Sequence, residues 1–508
     1  MPEADGTDKP RKAESLEEKV SELAKRRGFF YMSNEIYGGL TGFYDYGSVG
    51  TLIKRNIENL WRKHFLSIDD NSFEIEPTNI MTEPVFIASG HIKNFIDPSV
   101  RCKKEGVYYR ADHLVGSAIR QNVEGKTAEE LGKLISEHRI KCPKCGGELG
   151  EVKVLNMMLP VKLGAEGDTT AYLRPETAQG VYVNFLRQFN IQRGKIPMGL
   201  AIIGKAFRNE ISPRQLLIRQ REFTQAELQI FFDPDRINEC ERWEEVSKHK
   251  LKVLFFGKEE AEQHACEELV SKSGLPKFYV YHMAKMQEFF IKTLGIPEEK
   301  FRLRELSKDE RAFYNKIHFD VEVYLDSLHE YKEIGGVHYR TDHDLKGHQE
   351  ISKKSQEIFF DEKRFIPHVL ELSTGIDRTF YALMELSYRK PGEKRDWEWF
   401  AFPPKVAPFQ FAVYPLVGKD GVPVAARKAF EILSPSFNSF YDESGSIGRR
   451  YARADEIGIP FCITADYDSL TDDSVTIRSR DTMEQRRVKI SELLREADLL
   501  LAKGFAAH

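Results

Sequence analysis

The segment from residue 199 to residue 232 constrains the fold more than any other part of the chain. Two strand-like runs, 199–207 and 221–232, flank a loop that contains Pro213 and Arg214. Strands joined without an intervening helix pair antiparallel, because parallel neighbours need a long crossover connection. The segment therefore predicts a long hairpin in an antiparallel sheet and argues against regular βαβ units.

Other segments extend this picture to an α+β fold. Further strand-like runs lie at 73–77, 152–160, 317–324 and 369–372, separated by long segments. Apolar residues recur at helical spacing from 51 to 66. Ser15 and Glu18 form a capping-box pattern at the start of a helix over 15–27. We expect an antiparallel sheet interrupted by helical insertions, near 100–150 and near 235–310, the second mostly helical.

The 508 residues exceed what one hydrophobic core usually holds, and Pro403 and Pro404 mark a boundary. After it, strand-like and helical runs alternate, as in a separate α/β domain. The predicted division is a disordered leader at 1–18, a large domain at 19–404 and a smaller one at 405–508.

Composition and charge exclude several classes of protein. The net charge is −4, so an anionic partner would need local basic patches rather than a globally basic surface. No apolar run approaches the ~20 residues that cross a bilayer, and the polar N-terminus does not resemble a secretory signal. Six cysteines in so long a chain do not form a disulfide framework, which favours a reducing compartment.

The first basic patch lies within the predicted hairpin. Arg208 ends its first strand, and Arg219 and Arg221 begin the second. An arginine can bind a phosphate through two parallel hydrogen bonds, and the ring of Phe223 can stack on a purine. Taken alone, the segment is equally consistent with an ion-paired surface hairpin.

A second motif runs from Glu371 to Arg378. An apolar strand ends at a turn around Gly375, and Arg378 opens a helix. Phosphates suit such a junction, because the amides of a helix N-terminus point at the ligand. A Gly-x-Asp-Arg sequence by itself is a weak signal.

Together these segments resemble the class II aminoacyl-tRNA synthetases. Residues 207–210 resemble motif 2 of that family, residues 375–378 resemble motif 3, and the helix at 51–66 with the strand to Pro77 resembles the dimer-forming motif 1. Longer strings are similar to the homodimeric glycyl-tRNA synthetases: 33–39, 44–47, 89–91, 173–180, 339–342, 448–456 and 480–485. So many strings in order are far more specific than one motif.

The resemblance implies a cytoplasmic homodimer without membrane contact. Its large domain would activate glycine with ATP, release pyrophosphate and pass the glycyl group to the 3′-terminal adenosine of tRNA(Gly). Arg208 and Arg378 would be the catalytic arginines. The implied ATP contacts are Arg208, Asn209, Glu210, Arg219, Arg221, Phe223, Glu333, Glu371 and Arg378. Mg²⁺ would bridge phosphates with Glu333 and Glu371 as carboxylate ligands.

Glycine has no side chain, so its pocket can hold only the ammonium and carboxylate groups. By resemblance, Glu176 and Glu227 would hold the ammonium, while Arg340 and Glu371 would help to orient the substrate. Ser373 would crowd the Cα atom, and rejection of an added methyl group would be steric.

The resemblance makes the 405–508 domain an anticodon reader. It carries a second basic cluster: Arg449, Arg450, Arg453, Arg478, Arg480, Arg486, Arg487 and Lys489. Unstacked bases of an RNA loop are read at their edges by such charged side chains. The candidate contacts are Arg449, Arg453, Asp481 and Glu484.

A zinc site is a further hypothesis. Cys142 and Cys145 form one zinc-knuckle pair, but Cys102 is the only cysteine near a second pair. Structural zinc usually has four Cys or His ligands, so Glu105 or His113 would have to complete the site.

Three alternatives remain open. One is a class II synthetase for threonine, proline or histidine, which the string at 173–180 and the Glu371-x-Ser373 spacing disfavour. Another is a non-catalytic RNA-binding relative, which the presence of Arg208 and Arg378 disfavours. The third is additional dinucleoside polyphosphate synthesis from the same adenylate.

Overall fold

The computed structural model describes residues 15–121, 123, 125–213, 215–312, 314–393 and 395–505. Its α-helices are α1 (Leu16–Arg27), α2 (Ser48–Phe65), α3 (Glu83–Ala88), α4 (His91–Asn94), α5 (Ala111–Ile119), α6 (Ala128–Glu137), α7 (Ala178–Tyr182), α8 (Phe185–Ile191), α9 (Cys266–Ser271), α10 (Lys277–Glu288), α11 (His343–Ser352), α12 (Ile376–Ser387), α13 (Val422–Leu433), α14 (Ile447–Ile457), α15 (Ser469–Asp472) and α16 (Leu493–Lys503).

The strands of the first domain are β1 (Phe30–Met32), β2 (Tyr44–Tyr46), β3 (Ser72–Glu74), β4 (Ile80–Thr82), β5 (Ile96–Cys102), β6 (Tyr108–Arg110), β7 (Leu149–Asn156), β8 (Leu159–Leu163), β9 (Thr169–Leu173), β10 (Met198–Phe207), β11 (Glu222–Phe232), β12 (Lys250–Leu254), β13 (Glu262–Ala265), β14 (Phe301–Glu305), β15 (Ile317–Leu325), β16 (Glu330–Thr341), β17 (Ile358–Phe360), β18 (Lys363–Phe365), β19 (His368–Gly375), β20 (Tyr388–Arg389) and β21 (Trp399–Phe400). Those of the second are β22 (Phe411–Pro415), β23 (Ser439–Tyr441), β24 (Phe461–Ala465), β25 (Ser474–Ser479) and β26 (Gln485–Lys489).

A nine-stranded sheet is the centre of the first domain, with the strand order β13-β12-β14-β15-β16-β19-β11-β10-β3. Its pairings are antiparallel except for β12 with β14 and β10 with β3. The predicted hairpin is confirmed, because β10 and β11 pair from Met198↔Phe231 to Phe207↔Glu222. The strand predicted near 73–77 lies at the edge of this sheet as β3.

The two faces of the sheet differ in chemistry. On one face, apolar side chains such as Leu228, Val337 and Leu372 join the main hydrophobic core with α2, α10 and α12. Side chains alternate along a strand, so the intervening residues point to the opposite face. There the neighbouring residues Glu227, Ser373 and Gly336 lie opposite one another on three adjacent strands.

The two predicted insertions differ in outcome. The segment near 100–150 contains the helices α5 and α6, as expected of a helical insertion, together with its own sheet, β6-β5-β7. The expectation of a mostly helical segment at 235–310 is wrong, because β12, β13 and β14 extend the main sheet. In β12, charged Lys250 and Lys252 alternate with the buried Leu251 and Val253, so the charges belong to one face of a strand.

The second domain contains the five-stranded sheet β23-β22-β24-β25-β26 and a separate hydrophobic core with α13 and α16. Residues 1–14 of the predicted leader, like Arg214, lie outside the described residues. Residues 16–18 belong to α1 rather than to a leader, and Ser15 forms the predicted capping box with Glu18. In the described part of the chain, no helix combines the length and apolar character that a bilayer crossing requires.

Candidate active site

One cavity of about 70 Å³ lies at the end of the β10–β11 hairpin and the start of α12. We call it the arginine cavity, since it is lined by Arg208, Arg219 and Arg378. The other lining residues are Glu210, Leu217, Ile218, Gln220, Phe223, Thr224, Gln225, Glu333, Ile334, Gly335, Ser373, Gly375 and Asp377. The two motifs that the sequence placed more than 150 residues apart therefore meet at one site.

Arg208 follows the last residue of β10. Its Nε atom donates to the carbonyl oxygen of Pro175 at 3.1 Å, and its guanidinium carbon lies 5.2 Å from the centre of the Phe223 ring and 5.4 Å from that of Phe95. Among the described residues, its two terminal nitrogens have no hydrogen-bond acceptor. They remain available for an anion that enters the cavity.

Arg378 lies in the first turn of α12. Its Nε atom donates to the carbonyl of Ile218 at 3.0 Å, and Nη1 donates to the Glu333 carboxylate at 3.0 Å. The preceding Asp377 is buried and accepts from Lys54 at 2.7 Å and from the amide of Thr224. This anchoring ties the helix start to α2 and β11 and fixes the direction of Arg378.

The remaining predicted ATP contacts divide between the cavity and its support. Glu210 lines the cavity and accepts from Arg219 at 2.7 Å. Arg221 is absent from the lining, because its guanidinium donates to the carbonyls of Glu210, at 3.1 Å from Nε, and Thr41, at 3.0 Å from Nη1. Asn209 is also outside the lining, and its amide donates to the carbonyl of Met157 at 2.8 Å.

A buried carboxylate cluster lies on the same face of the sheet, and we define it as Glu176, Glu227, Glu371 and Asp344 around Arg340. Arg340 is only 1% exposed. It donates to Asp344 and Glu371 at 2.9 Å each, and to Glu176 at 3.4 Å. Because these carboxylates occupy its donors, Arg340 supports the cluster and does not face the cavity.

The cluster holds more negative groups than Arg340 can balance. Burial, reinforced by the charges of Glu371 and Glu176, raises the pKa of Glu227 to about 8. Burial acts in the same direction on Glu176, but Arg340 and His91 outweigh it and hold the pKa of Glu176 well below its usual range. A protonated Glu227 beside an ionised Glu176 is an arrangement that favours an incoming cation.

Glu333 and Glu371 are not positioned to share one Mg²⁺ ion. Glu333 lines the arginine cavity, whereas Glu371 lies opposite His338 and binds Arg340 and Gln229. Glu333 and His338 are five residue steps apart on β16, roughly 16 Å of extended strand. Magnesium ligands lie about 2.1 Å from the ion, so the predicted pairing is wrong. Of the two carboxylates, only Glu333 fits the role of a Mg²⁺ ligand at the arginine cavity. Burial raises the pKa of Glu333, but Arg378 outweighs this effect and lowers it.

The sequence missed several members of the site. Gln179 donates to Glu176 and to Asp344 at 2.8 Å each, and His91 lies 3.6 Å from Glu176. Gln225 and Gly335 line the cavity. Alternation along β11 was an available signal for Gln225, since it lies between Phe223 and Glu227 on the same face.

The three cysteines of the predicted zinc site are close together. The sulfur atoms of Cys102, Cys142 and Cys145 all lie within 4.8 Å of one another. A hydrogen bond from the Tyr109 hydroxyl is the main cause that lowers the pKa of Cys142 to about 6. The Glu105 carboxylate binds Lys144 at 2.9 Å, so it is engaged as an ion-pair partner.

The predicted basic cluster of the second domain divides into buried and exposed members. Arg450, Arg478 and Arg480 are at most 3% exposed. Arg478 binds Asp455 at 3.1 Å, while Arg480 donates to the carbonyls of Gly458 and Phe402. Their inclusion in an RNA-reading surface is therefore wrong. The five other members face solvent at least in part: Arg449, Arg453, Arg486, Arg487 and Lys489.

The four predicted anticodon contacts lie in two places. Arg449 is exposed on α14, and Arg453 of the same helix donates to Asp442 at 3.1 Å. Asp481 and Glu484 are exposed in the turn between β25 and β26. Arg480 binds Asp481 at 2.8 Å.

Comparisons with known proteins agree with both halves of this architecture. Residues 161–387 match the family described as tRNA synthetase class II core domain (G, H, P, S and T), and residues 410–498 match the anticodon binding domain. Among solved structures, a prolyl-tRNA synthetase from Cryptosporidium parvum in complex with L-proline and AMP is similar in fold, with a TM-score of 0.57. Its sequence identity is 13%, and the match covers 96% of this chain and 76% of that one.

Curated relatives are more similar in sequence. A glycine–tRNA ligase of Pyrococcus horikoshii is 40% identical, over 95% of this chain and 98% of the relative. Glycine–tRNA ligases of Methanocaldococcus jannaschii and Aeropyrum pernix are 38% and 37% identical, over 94% and 95% of this chain and 97% and 96% of the relatives.

Proposed function

Because this chain belongs to the family of the glycine–tRNA ligases, we propose that it activates glycine with ATP and transfers the glycyl group to the 3′-terminal adenosine of tRNA(Gly). One structural observation supports the chemical steps of this proposal. Arg208 and Arg378 line a single cavity that also contains Ser373, beside a carboxylate cluster with excess negative charge.

In the first step, a glycine carboxylate oxygen attacks the α-phosphorus of ATP. The new bond joins that oxygen to phosphorus, and the bond to the oxygen that bridges to the β-phosphorus breaks, so pyrophosphate leaves. Arg208, with two terminal nitrogens free of protein acceptors, stabilises the charge on the α-phosphate. Arg378 binds the leaving phosphates, and Phe223 supports the adenine.

Magnesium fits this site through one carboxylate. Glu333 lines the cavity and is held ionised beside Arg378. Held there by Glu333, Mg²⁺ would supply positive charge that offsets the negative charge of the triphosphate. Arg208 and Arg378 orient the same triphosphate from the two sides of the cavity.

The carboxylate cluster recognises the ammonium group of glycine. Glu176 is already ionised, and Glu227 releases its proton when the positively charged ammonium group binds. Arg340 keeps the carboxylates in place through its contacts with Glu176, Glu371 and Asp344. Ser373, in the cavity lining, limits the space beside Cα.

The exchange of pyrophosphate into ATP tests this function. Glycine should support exchange, whereas alanine, threonine and proline should not, and purified tRNA should then accept glycine. Exchange with threonine or proline in place of glycine would favour another class II specificity. The variant Glu176→Gln should lose glycine-dependent exchange, and a rate equal to that of the wild type would remove Glu176 from the site.

The second domain is proposed to read the anticodon of tRNA(Gly). The exposed residues Arg449, Asp481 and Glu484, together with Arg453, support this role. Deletion of residues 405–508 is not a clean test, because Arg480 donates to the carbonyl of Phe402 in the first domain. Point variants at exposed positions are preferable.

We also propose a homodimer in the cytoplasm. The edge strand β3 supports a dimer, because an exposed edge offers unpaired backbone groups to a partner. A cavity of about 230 Å³ lies beside this edge and is lined by Ile68, Ser72 and Ile230 among others. Analytical ultracentrifugation should give a mass twice that of the chain, and a monomer at micromolar concentration would contradict the proposal. Cell fractionation tests the location.

Zinc at Cys102, Cys142 and Cys145 is a further proposal. The three sulfur atoms are close enough to share an ion, and the lowered pKa of Cys142 favours its thiolate form. Metal analysis of purified protein should find one zinc per chain. The variant Cys142→Ser should lose it, whereas Cys462→Ser, at a buried cysteine of the second domain, should not.

A further inference from the structure

His338 lies beside the proposed glycine pocket and was not among the residues that the sequence indicated. It is part of β16 and faces Glu371 across the strand pair. Its Nε2 atom lies 3.0 Å from the hydroxyl oxygen of Ser373 and 3.5 Å from a carboxylate oxygen of Glu371. The ring therefore contacts one residue that lines the arginine cavity and one member of the carboxylate cluster.

Gly336 makes this position of the ring possible. It precedes His338 by two residues on the same face of β16 and pairs with Ser373. A Cβ atom at position 336 would lie 2.5 Å from Nε2 of His338, closer than atoms without a bond approach. Only glycine at this position leaves the ring room to lie against the backbone next to Ser373.

The protonation state of the ring follows from its neighbours. Burial, with the nearby His318 and Arg340, lowers the pKa of His338 well below its ordinary value, so the ring is neutral. A carboxylate only accepts hydrogen bonds, so the proton belongs on Nε2, which faces Glu371 and Ser373. The side-chain amide nitrogen of Asn315 lies 3.3 Å from Nδ1 and donates to it.

This arrangement fixes the hydroxyl group of Ser373. His338 donates from Nε2 to the Ser373 oxygen, and the serine keeps its own proton for a partner in the cavity. A serine without that contact has other staggered rotamers open to it, some of which move the oxygen away from its present place.

We propose that His338 is a specificity-determining positioning residue for glycine activation, which holds the Ser373 hydroxyl where it excludes a methyl group on Cα of the substrate. This inference rests on the proposed function. A substrate such as alanine has to displace the Ser373 oxygen, which breaks the 3.0 Å hydrogen bond and leaves the Nε2 proton only the more distant Glu371 oxygen, at 3.5 Å. Specificity of this kind depends on a group that resists displacement, and His338 provides the resistance.

A matched pair of variants tests the hydrogen bond. In His338→Gln the side-chain amide reaches the position of Nε2, and in His338→Asn it reaches that of Nδ1. Both are polar and smaller than or close to the size of the ring, so the fold should tolerate them equally. The measurement is kcat/KM for pyrophosphate exchange with glycine and with alanine, together with the melting temperature of each variant.

His338→Asn should lower the ratio of glycine to alanine kcat/KM by about tenfold, mainly through a lower KM for alanine and a higher KM for glycine. His338→Gln should retain the ratio within about threefold. In the Ser373→Ala background, His338→Asn should change the ratio by less than about twofold, since the two residues act as one unit.

Two outcomes would overturn the inference and leave the proposed function intact. One is an unchanged ratio in His338→Asn, and the other is an equal loss in the Asn and Gln variants. A wild-type enzyme that shows no glycine-dependent exchange would instead overturn the proposed function, and the inference with it.

Discussion

Two regions of this protein are rich in arginine, and they use it in opposite ways. In the arginine cavity, Arg208 keeps both terminal nitrogens free of protein acceptors among the described residues. In the second domain, Arg478 and Arg480 are almost completely buried, and protein oxygens occupy their donors. The sequence shows each region as a basic cluster without this distinction.

The difference lies in what surrounds the guanidinium groups. A strand end and a helix start converge at the cavity. There Glu210 and Glu333 bind Arg219 and Arg378, but no acceptor among the described residues reaches the terminal nitrogens of Arg208. The buried arginines of the second domain instead donate to Asp455, to the carbonyl of Gly458 and to the carbonyl of Phe402 from the first domain. An arginine with satisfied donors stabilises structure, whereas one with free donors facing a cavity can bind an anion.

The largest expected effect is on the stability of the second domain. Arg478→Met should lower the free energy of unfolding by about 3–5 kcal/mol, because it leaves the buried Asp455 without its nearest positive partner. The measurement is urea denaturation. Arg449→Met, at an exposed position on α14, is the control and should change stability by less than about 0.5 kcal/mol. Equal effects of the two variants would break the comparison between buried and exposed arginines.

The next effect is on catalysis. Arg208→Gln should lower the rate of glycine-dependent pyrophosphate exchange by about 100- to 1,000-fold, because a positioned charge at the developing transition state is lost. The melting temperature should change little, since the guanidinium makes only one hydrogen bond to the part of the chain that the structure describes. Arg221→Gln is the control and should lose much less activity, because Arg221 does not line the cavity and its guanidinium donates to the backbone carbonyls of Glu210 and Thr41. Similar losses of activity in the two variants would mean that a position in the cavity lining does not distinguish the role of Arg208 from that of Arg221.

A smaller expected effect is a pH dependence of glycine binding at the carboxylate cluster. The pKa of Glu227 is raised to about 8, so the group is protonated below that pH in the free enzyme and must release its proton when ammonium binds. Glycine affinity should therefore rise with pH up to about 8, by at most about tenfold per pH unit. Calorimetry in two buffers with different ionisation enthalpies measures the released proton. Glu227→Gln is the control, in which this dependence should vanish, and an identical pH profile would contradict the assignment.

The smallest effect concerns the exposed arginines of the second domain. Arg449→Gln should raise the KM for tRNA by about two- to fivefold and reduce the salt dependence of binding by about one phosphate contact. Exchange of pyrophosphate, which does not need tRNA, should stay unchanged. An unaltered KM for tRNA at several salt concentrations would show that Arg449 does not contact the RNA.

Local pattern was sufficient for much of the fold. The β10–β11 hairpin and the mixture of strands and helices after Pro403 follow from alternation and periodicity within short segments, although β23, α15 and β26 were not predicted. The strands of 235–310 were missed because the pattern in β12 places lysines between apolar residues, and only pairing with β14 reveals that those apolar residues are buried. Strand β16, the partner of β19, was missed although it contributes Glu333, His338 and Arg340 to the site.

The candidate active site shows the same contrast between what the sequence predicts and what only the tertiary structure decides. Motif resemblance brought out Arg208 and Arg378, which the structure brings to one cavity. It did not indicate that Arg340 is enclosed by carboxylates, that Arg221 turns away from the cavity or that Glu333 and Glu371 are too far apart to share an ion. Each of these facts depends on side-chain direction and on distances between strands that are distant in sequence.

The sequence by itself determined which residue types are present and in what order, and therefore the class of fold and the family. Tertiary structure alone decided which arginines are free to bind, which carboxylates share one buried site and which histidine lies against Ser373. The physical reason is that hydrogen-bond partners and burial are properties of neighbours in space. Those neighbours come from strands, such as β11, β16 and β19, that the chain brings together only when the sheet forms.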